Sequence, residues 1–276
     1  MTSSNIYRMM RQFASIIIMA ALLMVFVMDT GYAQPDDKLF YSCSNQVYEA
    51  IDKQKIKAFT EATGIDVEVE TGASIWAVVQ VFRYESPDLA SSVRSLYRRH
   101  QSRGLEEIAF CKDQLAVITR KGCGVENLTE KQVEDIFSGE IGNWKELGGE
   151  DLEITVVAPS KETGANKNFR RHFMKHHDIR CEVTTRSSTM ATGVVEALPC
   201  GAISFIGRGA GIKNPRIRLL KIDGKSPDDP DYPYYQTFYY VTRSHPKGAA
   251  KQFIDFTFSD AGQKLLKENG LIPVKR

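Results

Sequence analysis

The sequence predicts an α/β protein of two lobes, each a mainly parallel sheet flanked by helices, with two strands crossing between them. Three observations predict it. Strand patterns alternate with helix patterns along almost the whole chain, which is the signature of parallel sheets covered by helices. Two extended segments, 108–119 and 234–242, are long enough to run from one lobe into the other. The composition is that of a folded chain, 42% hydrophobic and 25% charged, and excludes disorder, collagen and a polytopic membrane protein. With 36 basic and 34 acidic side chains the net charge is +2, so no broad basic face is expected and nucleic acid is excluded as a partner.

Taken in order, the first segment is a targeting signal. Arg8 and Arg11 precede an uncharged run over 13–28, shorter than the roughly 20 residues of a spanning helix. Gly31-Tyr32-Ala33 places small residues at the cleavage-specifying positions. Residues 1–33 therefore read as a signal peptide cut after Ala33, with an uncleaved anchor as the competing reading. Export to the periplasm is expected. Residues 34–112 and 240–276 would then form a terminal lobe, and 113–239 a middle lobe.

A short apolar strand spans 39–42. Val47, Ala50, Ile51, Ala58, Phe59 and Ala62 follow at helical spacing until Gly64 stops the helix. Residues 65–70 alternate strictly, as a half-buried strand does. Ser74 is placed to cap a helix through Phe82, and 89–91 is a brief strand. Thr129 and Gln132 form a capping-box signature; its helix ends near Gly139. Strands at 153–158, 182–185, 202–206 and 217–222 are separated by helices at 164–177 and 189–198. The segment Gly207-Arg208-Gly209-Ala210-Gly211 lacks the dinucleotide fingerprint and reads as a loop. The aromatic strand at 234–242 reads as core. Two helices, 246–258 and 261–269, close the chain, the last ended by Gly270.

Export puts the five cysteines where disulfides persist. Cys181 precedes a strand and Cys200 follows the next helix, so both lie at one end of the sheet and the pair is the candidate bridge. Cys111–Cys123 is disfavoured, because the strand between them would hold them about 17 Å apart.

Enzyme motifs are missing: there is no G-x-S-x-G, no H-E-x-x-H, no P-loop and no C-x-x-C. His172 and His176, four apart on a helix, could hold a metal with Cys181, although a solvated helix face explains them as well. No cofactor is called for. What remains is a set of hydroxyl-rich loops at strand-to-helix junctions: Ser42-Cys43-Ser44-Asn45-Gln46, Thr71-Gly72-Ala73-Ser74, Ser91-Ser92-Val93-Arg94-Ser95, Ser160-Lys161-Glu162-Thr163-Gly164-Ala165 and Ser187-Ser188-Thr189. Such junctions lie at the carboxyl ends of strands, where α/β proteins bind ligands. Helix starts there offer free N–H groups and a partial positive charge, which suits an anion. Arg94 would add a guanidinium fork. Any one loop is explained by ordinary capping; five together point to an oxyanion.

The segment from Leu128 to Trp144, with Leu128-Thr129, Gln132, Ile136-Phe137-Ser138-Gly139, Ile141 and Asn143-Trp144, resembles the L-T-x-x-Q-x-x-x-I-F-S-G-x-I-x-N-W run of periplasmic phosphate-binding proteins of ABC importers. Gly201-Ala202-Ile203-Ser204-Phe205-Ile206-Gly207 is similar to their G-A-I-G-Y-V-G strand, and the tail from Tyr232 to Val274 is similar to their return crossing and last helices. The resemblance implies a type II periplasmic-binding fold and an anion held between the lobes.

The resemblance carries the family's S-G-T onto Thr163-Gly164-Ala165, where Ala165 lacks the second hydroxyl. Its glycine–serine loop falls on Gly72-Ala73-Ser74, with Trp76 where many members have glycine. Its third loop falls on Ser92-Val93-Arg94, with Val93 replacing a serine. Its first loop falls on Ser44, Asn45 and Gln46. No acid occurs between Leu89 and Arg103 to accept a proton from monohydrogen phosphate, so tungstate, molybdate or a phosphonate are alternatives to phosphate. The expectation is a non-catalytic, monomeric solute-binding protein that hands an oxyanion to the membrane subunits of an ABC permease. A sensing module read by a membrane receptor is the alternative.

Overall fold

A computed structural model describes residues 38–84, 87–243 and 245–275. The expected signal peptide, 1–33, lies outside the described residues. Among those described, no helix is long and apolar enough to cross a membrane.

The chain opens with β1 (Lys38–Ser44) and enters a helix built in three pieces: α1 (Asn45–Val47), a π-helical turn (Tyr48–Asp52) and α2 (Lys53–Thr63). Gly64, at φ 76°, ends α2 as predicted. The π turn was not predicted; it ends at a buried ion pair. Asp52 and Lys55 are both fully buried and ion-paired. The Lys55 ammonium donates to the Tyr240 hydroxyl at 2.5 Å, and Tyr41 donates to Asp52. The Lys55 ammonium also lies 4.6 Å from the ring centre of Phe110 and 5.0 Å from that of Phe253. Burial alone would lower the Lys55 pKa, but Asp52 and Tyr240 hold it above its ordinary value.

The alternating segment is β2 (Asp66–Gly72), parallel to β1. Then come α3 (Ser74–Arg83), β3 (Leu89–Ser92), a short α4 (Arg98–Gln101) and the long β4 (Leu105–Arg120). After β5 (Asn127–Leu128), α5 (Glu130–Ser138) starts on the predicted capping box. Thr129 Oγ1 accepts from the Gln132 N–H at 3.1 Å, and Gln132 Oε1 accepts from the Thr129 N–H at 2.8 Å. Next are β6 (Thr155–Pro159), α6 (Gly164–Phe173), β7 (Val183–Thr185), α7 (Ser188–Ala197) and β8 (Ala202–Gly207). The glycine-rich segment expected as a loop is a short helix, α8 (Arg208–Gly211). The strand expected over 217–222 divides into β9 (Ile217–Leu219), antiparallel to β4, and β10 (Lys221–Ile222), parallel to β5. β11 (Tyr235–Arg243), α9 (Gly248–Phe258), α10 (Asp260–Glu268) and β12 (Ile272–Pro273) complete the chain.

Strands run in the order β2-β1-β3-β11-β4-β8-β6-β7. β1, β2 and β3 are parallel at one end, and β6, β7 and β8 are parallel at the other. Between them stand β11 and β4, antiparallel to each other and to their outer neighbours. β4 serves both halves: residues 105–114 pair with β11 and residues 115–119 pair with β8. Separate apolar clusters fill the two halves. One gathers Leu39, Phe59, Phe110, Phe238 and Phe253; another gathers Phe137, Trp144, Phe169, Phe173 and Phe205. Phe169 stacks on Phe205 at 4.0 Å between ring centres, which is the packing that holds α6 against its sheet. Burying one such side chain contributes about 1.5–3 kcal/mol. In the aromatic run, Tyr232, Tyr234, Phe238 and Tyr240 are buried as expected.

The disulfide differs from expectation. Cys123 bonds Cys200 (Cα–Cα 5.3 Å), and Cys181 is free. The reason is strand order. β4 is antiparallel to β8, so the end of one meets the start of the other, with Thr119 opposite Ile203. Cys123 lies just past that end and Cys200 just before that start. Between β8 and β7 stands β6, which sets the segment before β7 about two strand spacings, or roughly 10 Å, away.

Candidate functional site

Four helix starts, two from each half of the molecule, meet at one cavity of about 240 Å³. Ser44, Asn45 and Gln46 bring the start of α1. Gly72, Ala73 and Ser74 bring the start of α3. Ser160, Glu162, Thr163 and Gly164 bring the start of α6, and Arg186, Ser187 and Ser188 the start of α7. The first N–H groups of a helix have no acceptor within it, and the helix dipole makes that end partly positive. The cavity thus gathers main-chain donors and hydroxyls at the carboxyl ends of β1, β2, β6 and β7.

The hydroxyls divide into two kinds. Thr163 Oγ1 accepts from the Asn166 N–H (3.2 Å) and donates to the Ser160 carbonyl (2.8 Å). It is a helix cap, which leaves the Gly164 and Ala165 N–H groups as the donors of that loop. The missing hydroxyl at Ala165 therefore removes little, and Ala165 itself is fully buried. Ser187 Oγ likewise caps α7 through the Met190 N–H at 3.2 Å. Ser74 behaves differently from expectation. The N-cap of α3 is Ala73, and Ser74 is the first helical residue. Its hydroxyl lies 3.0 Å from Ser44 Oγ and accepts from the Val93 N–H at 3.3 Å, so it ties three of the predicted loops together.

The halves touch through Gly164. A Cβ there would lie 2.1 Å from Val93 Cγ2 and 3.0 Å from Gln46 Oε1. Only a residue without a side chain permits this approach. Behind the contact runs a buried chain of amides. Gln46 Nε2 (3.1 Å) and Asn168 Nδ2 (3.0 Å) both donate to Gln236 Oε1, and Asn168 also donates to the Val93 carbonyl at 3.1 Å. Gln236 Nε2 donates to Asp113 Oδ2 at 3.1 Å, and the Gly209 N–H donates to Asp113 Oδ1 at 3.0 Å. Burial pushes the Asp113 carboxyl up to about 6, against the pull of those two donors. Asp113 and Gln236 sit opposite each other on β4 and β11, so this network lies on the crossing strands.

Of the predicted residues, Ser44, Asn45, Gln46, Ser74, Thr163, Gly164 and Ser188 line the cavity. Thr189 stands beside it, donating from Oγ1 to Glu49. Ser92 and Arg94 are not among its lining residues. Ser92 Oγ is held by the backbone of Arg94, and Arg94 turns to the Tyr97 hydroxyl on the wall of a different hollow. Three charged residues also line the cavity: Glu162, within a predicted loop but not proposed as a ligand, and Glu49 and Arg186, which sequence reasoning missed. Arg186 was legible as a cation beside the Ser187-Ser188 cap. Glu49 was not, because the turn that faces it into the cavity is the unpredicted π segment.

The metal candidate fails on geometry. α6 ends at Phe173, and Lys175 and His176 take left-handed φ values of 46° and 70°. His172 and His176 therefore do not share a helix face. His172 bonds the Tyr235 carbonyl at 2.9 Å. Among the described residues, no three metal-ligating side chains come together.

Comparison with known proteins agrees with this architecture. The chain is 27% identical over 229 residues to the phosphate-binding protein PstS of Bacillus subtilis, covering 79% of this chain and 74% of that protein. It is 26% identical over 204 residues to PstS of Borreliella burgdorferi, covering 68% and 72%. Among solved structures, a phosphate ABC transporter substrate-binding protein of Clostridium perfringens, with bound phosphate, superposes with a TM-score of 0.77 at 25% identity. That match covers 86% of this chain and all of the other. The PBP superfamily domain matches residues 30–261, and the chain belongs to that superfamily.

Proposed function

We propose that this protein is an exported solute-binding protein that captures a phosphate-class oxyanion in the cavity between its halves and delivers it to a membrane permease without catalysing a reaction. The observation that carries the reading is the convergence of four helix starts on one cavity. Each contributes unpaired N–H groups and positive potential to the same point. The relatives named above, binding proteins for phosphate by their names, support the choice of anion. Residues 113–239 as one lobe, and the remainder of the mature chain as the other, would rotate about β4 and β11 as the ligand enters.

The charged residues refine the ligand class. Glu49 and Glu162 line the cavity with Arg186, Glu49 also accepting from Thr189 and Glu162 pairing with Lys167 at 3.3 Å. A carboxylate repels a fully deprotonated oxyanion but accepts a proton from a protonated one. The cavity therefore suits monohydrogen phosphate better than sulfate, molybdate or tungstate.

Calorimetric titration of the purified chain at neutral pH with phosphate, sulfate, molybdate and tungstate tests this. Phosphate should bind with micromolar or tighter affinity, corresponding to about −8 kcal/mol, and sulfate far more weakly. Equal affinity for sulfate would refute the carboxylate argument, and no oxyanion binding at all would refute the function.

A further inference from the structure

Val93 lines a second hollow and lies against Gly164, which lines the first. The first is the cavity of helix starts. The second is larger, about 600 Å³, and its lining includes Arg94, Lys167, Arg171, Tyr97, Tyr235 and Tyr239. Their charges contrast. The first cavity holds two carboxylates and one guanidinium, whereas no described lining residue of the second is acidic, although Lys167 on its wall pairs with Glu162 of the first. Arg170, also on its wall, is already committed to the His176 and His177 carbonyls and to Asp178. Arg94 is half-buried, and its guanidinium lies 4.9 Å from the ring centre of Tyr97. Ser95 Oγ donates to the Tyr239 hydroxyl at 3.1 Å, which fixes that phenol on the wall.

We infer that this second hollow is a separate binding site for a small organic phosphate ester, distinct from the proposed inorganic oxyanion site and not dependent on it. Three considerations lead there. Arg94 and Arg171, with no ion pair to a described carboxylate, attract an anion and raise its local concentration. Guanidinium forks match phosphate oxygens, and both Arg94 and Arg171 are placed to supply them. The volume lies within the range of about 300–1,000 Å³ typical of sites for larger organic ligands, far more than a tetrahedral oxyanion fills. Three phenol rings line the remainder, and they suit a flat or apolar portion of the ligand. The ester's phosphate lies between Arg94 and Arg171, Lys167 being paired with Glu162 at 3.3 Å, and its organic part lies against Tyr235 and Tyr239.

Phenyl phosphate is the probe, titrated by calorimetry into the full chain already saturated with inorganic phosphate. One equivalent should still bind, and raising the salt should weaken it. The double variant R94Q/R171Q should lose about tenfold or more in phenyl phosphate affinity through the lost charge-assisted bonds. Its affinity for inorganic phosphate and its melting temperature should stay as in the parent. A second variant, Y239A, should weaken phenyl phosphate alone. If phenyl phosphate merely competes with inorganic phosphate for one site, the inference is overturned. Binding that neither variant shifts overturns it too. Should inorganic phosphate fail to bind at all, the proposed function falls, while phenyl phosphate titrated alone against the same variants still decides the second site.

Discussion

Gly164→Ala is the most direct perturbation of the proposed cleft. The added Cβ would sit 2.1 Å from Val93 Cγ2, far inside contact distance, with Gln46 Oε1 at 3.0 Å and Ser74 Oγ at 3.6 Å. Overpacking of this kind costs about 1–3 kcal/mol. The strain exists only while the halves touch, because Val93 and Gly164 belong to opposite sides of the cavity. Separation relieves it without unfolding either half, so the melting temperature should fall little. Ligand binding that requires contact between the halves should bear the whole penalty, about 5- to 150-fold in dissociation constant. Val93→Ala removes the atom that is struck, so V93A/G164A should regain most of the affinity. The assay is phosphate calorimetry on the parent, both single variants and the double. Unchanged affinity in G164A would show that the contact is absent from the liganded form. Failure of V93A to rescue would show that the penalty arises elsewhere.

Three further outcomes are expected. Lys55→Met strips the fully buried Asp52 of its cation; urea unfolding should show a loss of about 3–5 kcal/mol, and a change below 1 kcal/mol would mean the pair is not closed in solution. The Asp113 carboxyl is raised from 3.8 to about 6 in the fold, so between those values the folded state holds a proton that the unfolded chain has released. Stability from this group is full below about pH 4, falls by at most roughly 3 kcal/mol up to pH 6 and then levels off. Subtracting the D113N stability–pH profile from the parent's should leave that falling slope, and a flat difference would refute it. Reducing Cys123–Cys200, which spans 77 residues, should lower stability by about 4–5 kcal/mol on the chain-entropy account, read as a shifted urea midpoint with dithiothreitol.

Local signals were legible where local physics decides. The box at Thr129 and Gln132, the stops at Gly64, Gly139 and Gly270 and the alternation over 65–70 all rest on contacts within a few residues. The junction loops were legible for the same reason, since a hydroxyl before an apolar run marks a helix start. What sequence reasoning missed depends on distant partners. Lys55, just past the π turn, is met in the core by Tyr240, 185 residues beyond it. The disulfide follows from β4 lying beside β8, which no spacing of cysteines reveals. Ser74 left its expected capping role because Ser44 and the Val93 N–H come within reach from two other loops. Arg94 sits two residues beyond β3, and the direction of one side chain took it to Tyr97 and the wall of a different hollow. Sequence position carried it to the right loop and no further.

A single strand, β4, is laid into the hydrogen-bond ladders of both halves. Its two ends cannot be melted independently, because freeing either one strips register from the same continuous backbone. The apolar clusters on either side are therefore yoked, and heat should dissolve them in one calorimetric peak. If the halves rotate about β4 and β11 as proposed, the same strand keeps them from coming apart there.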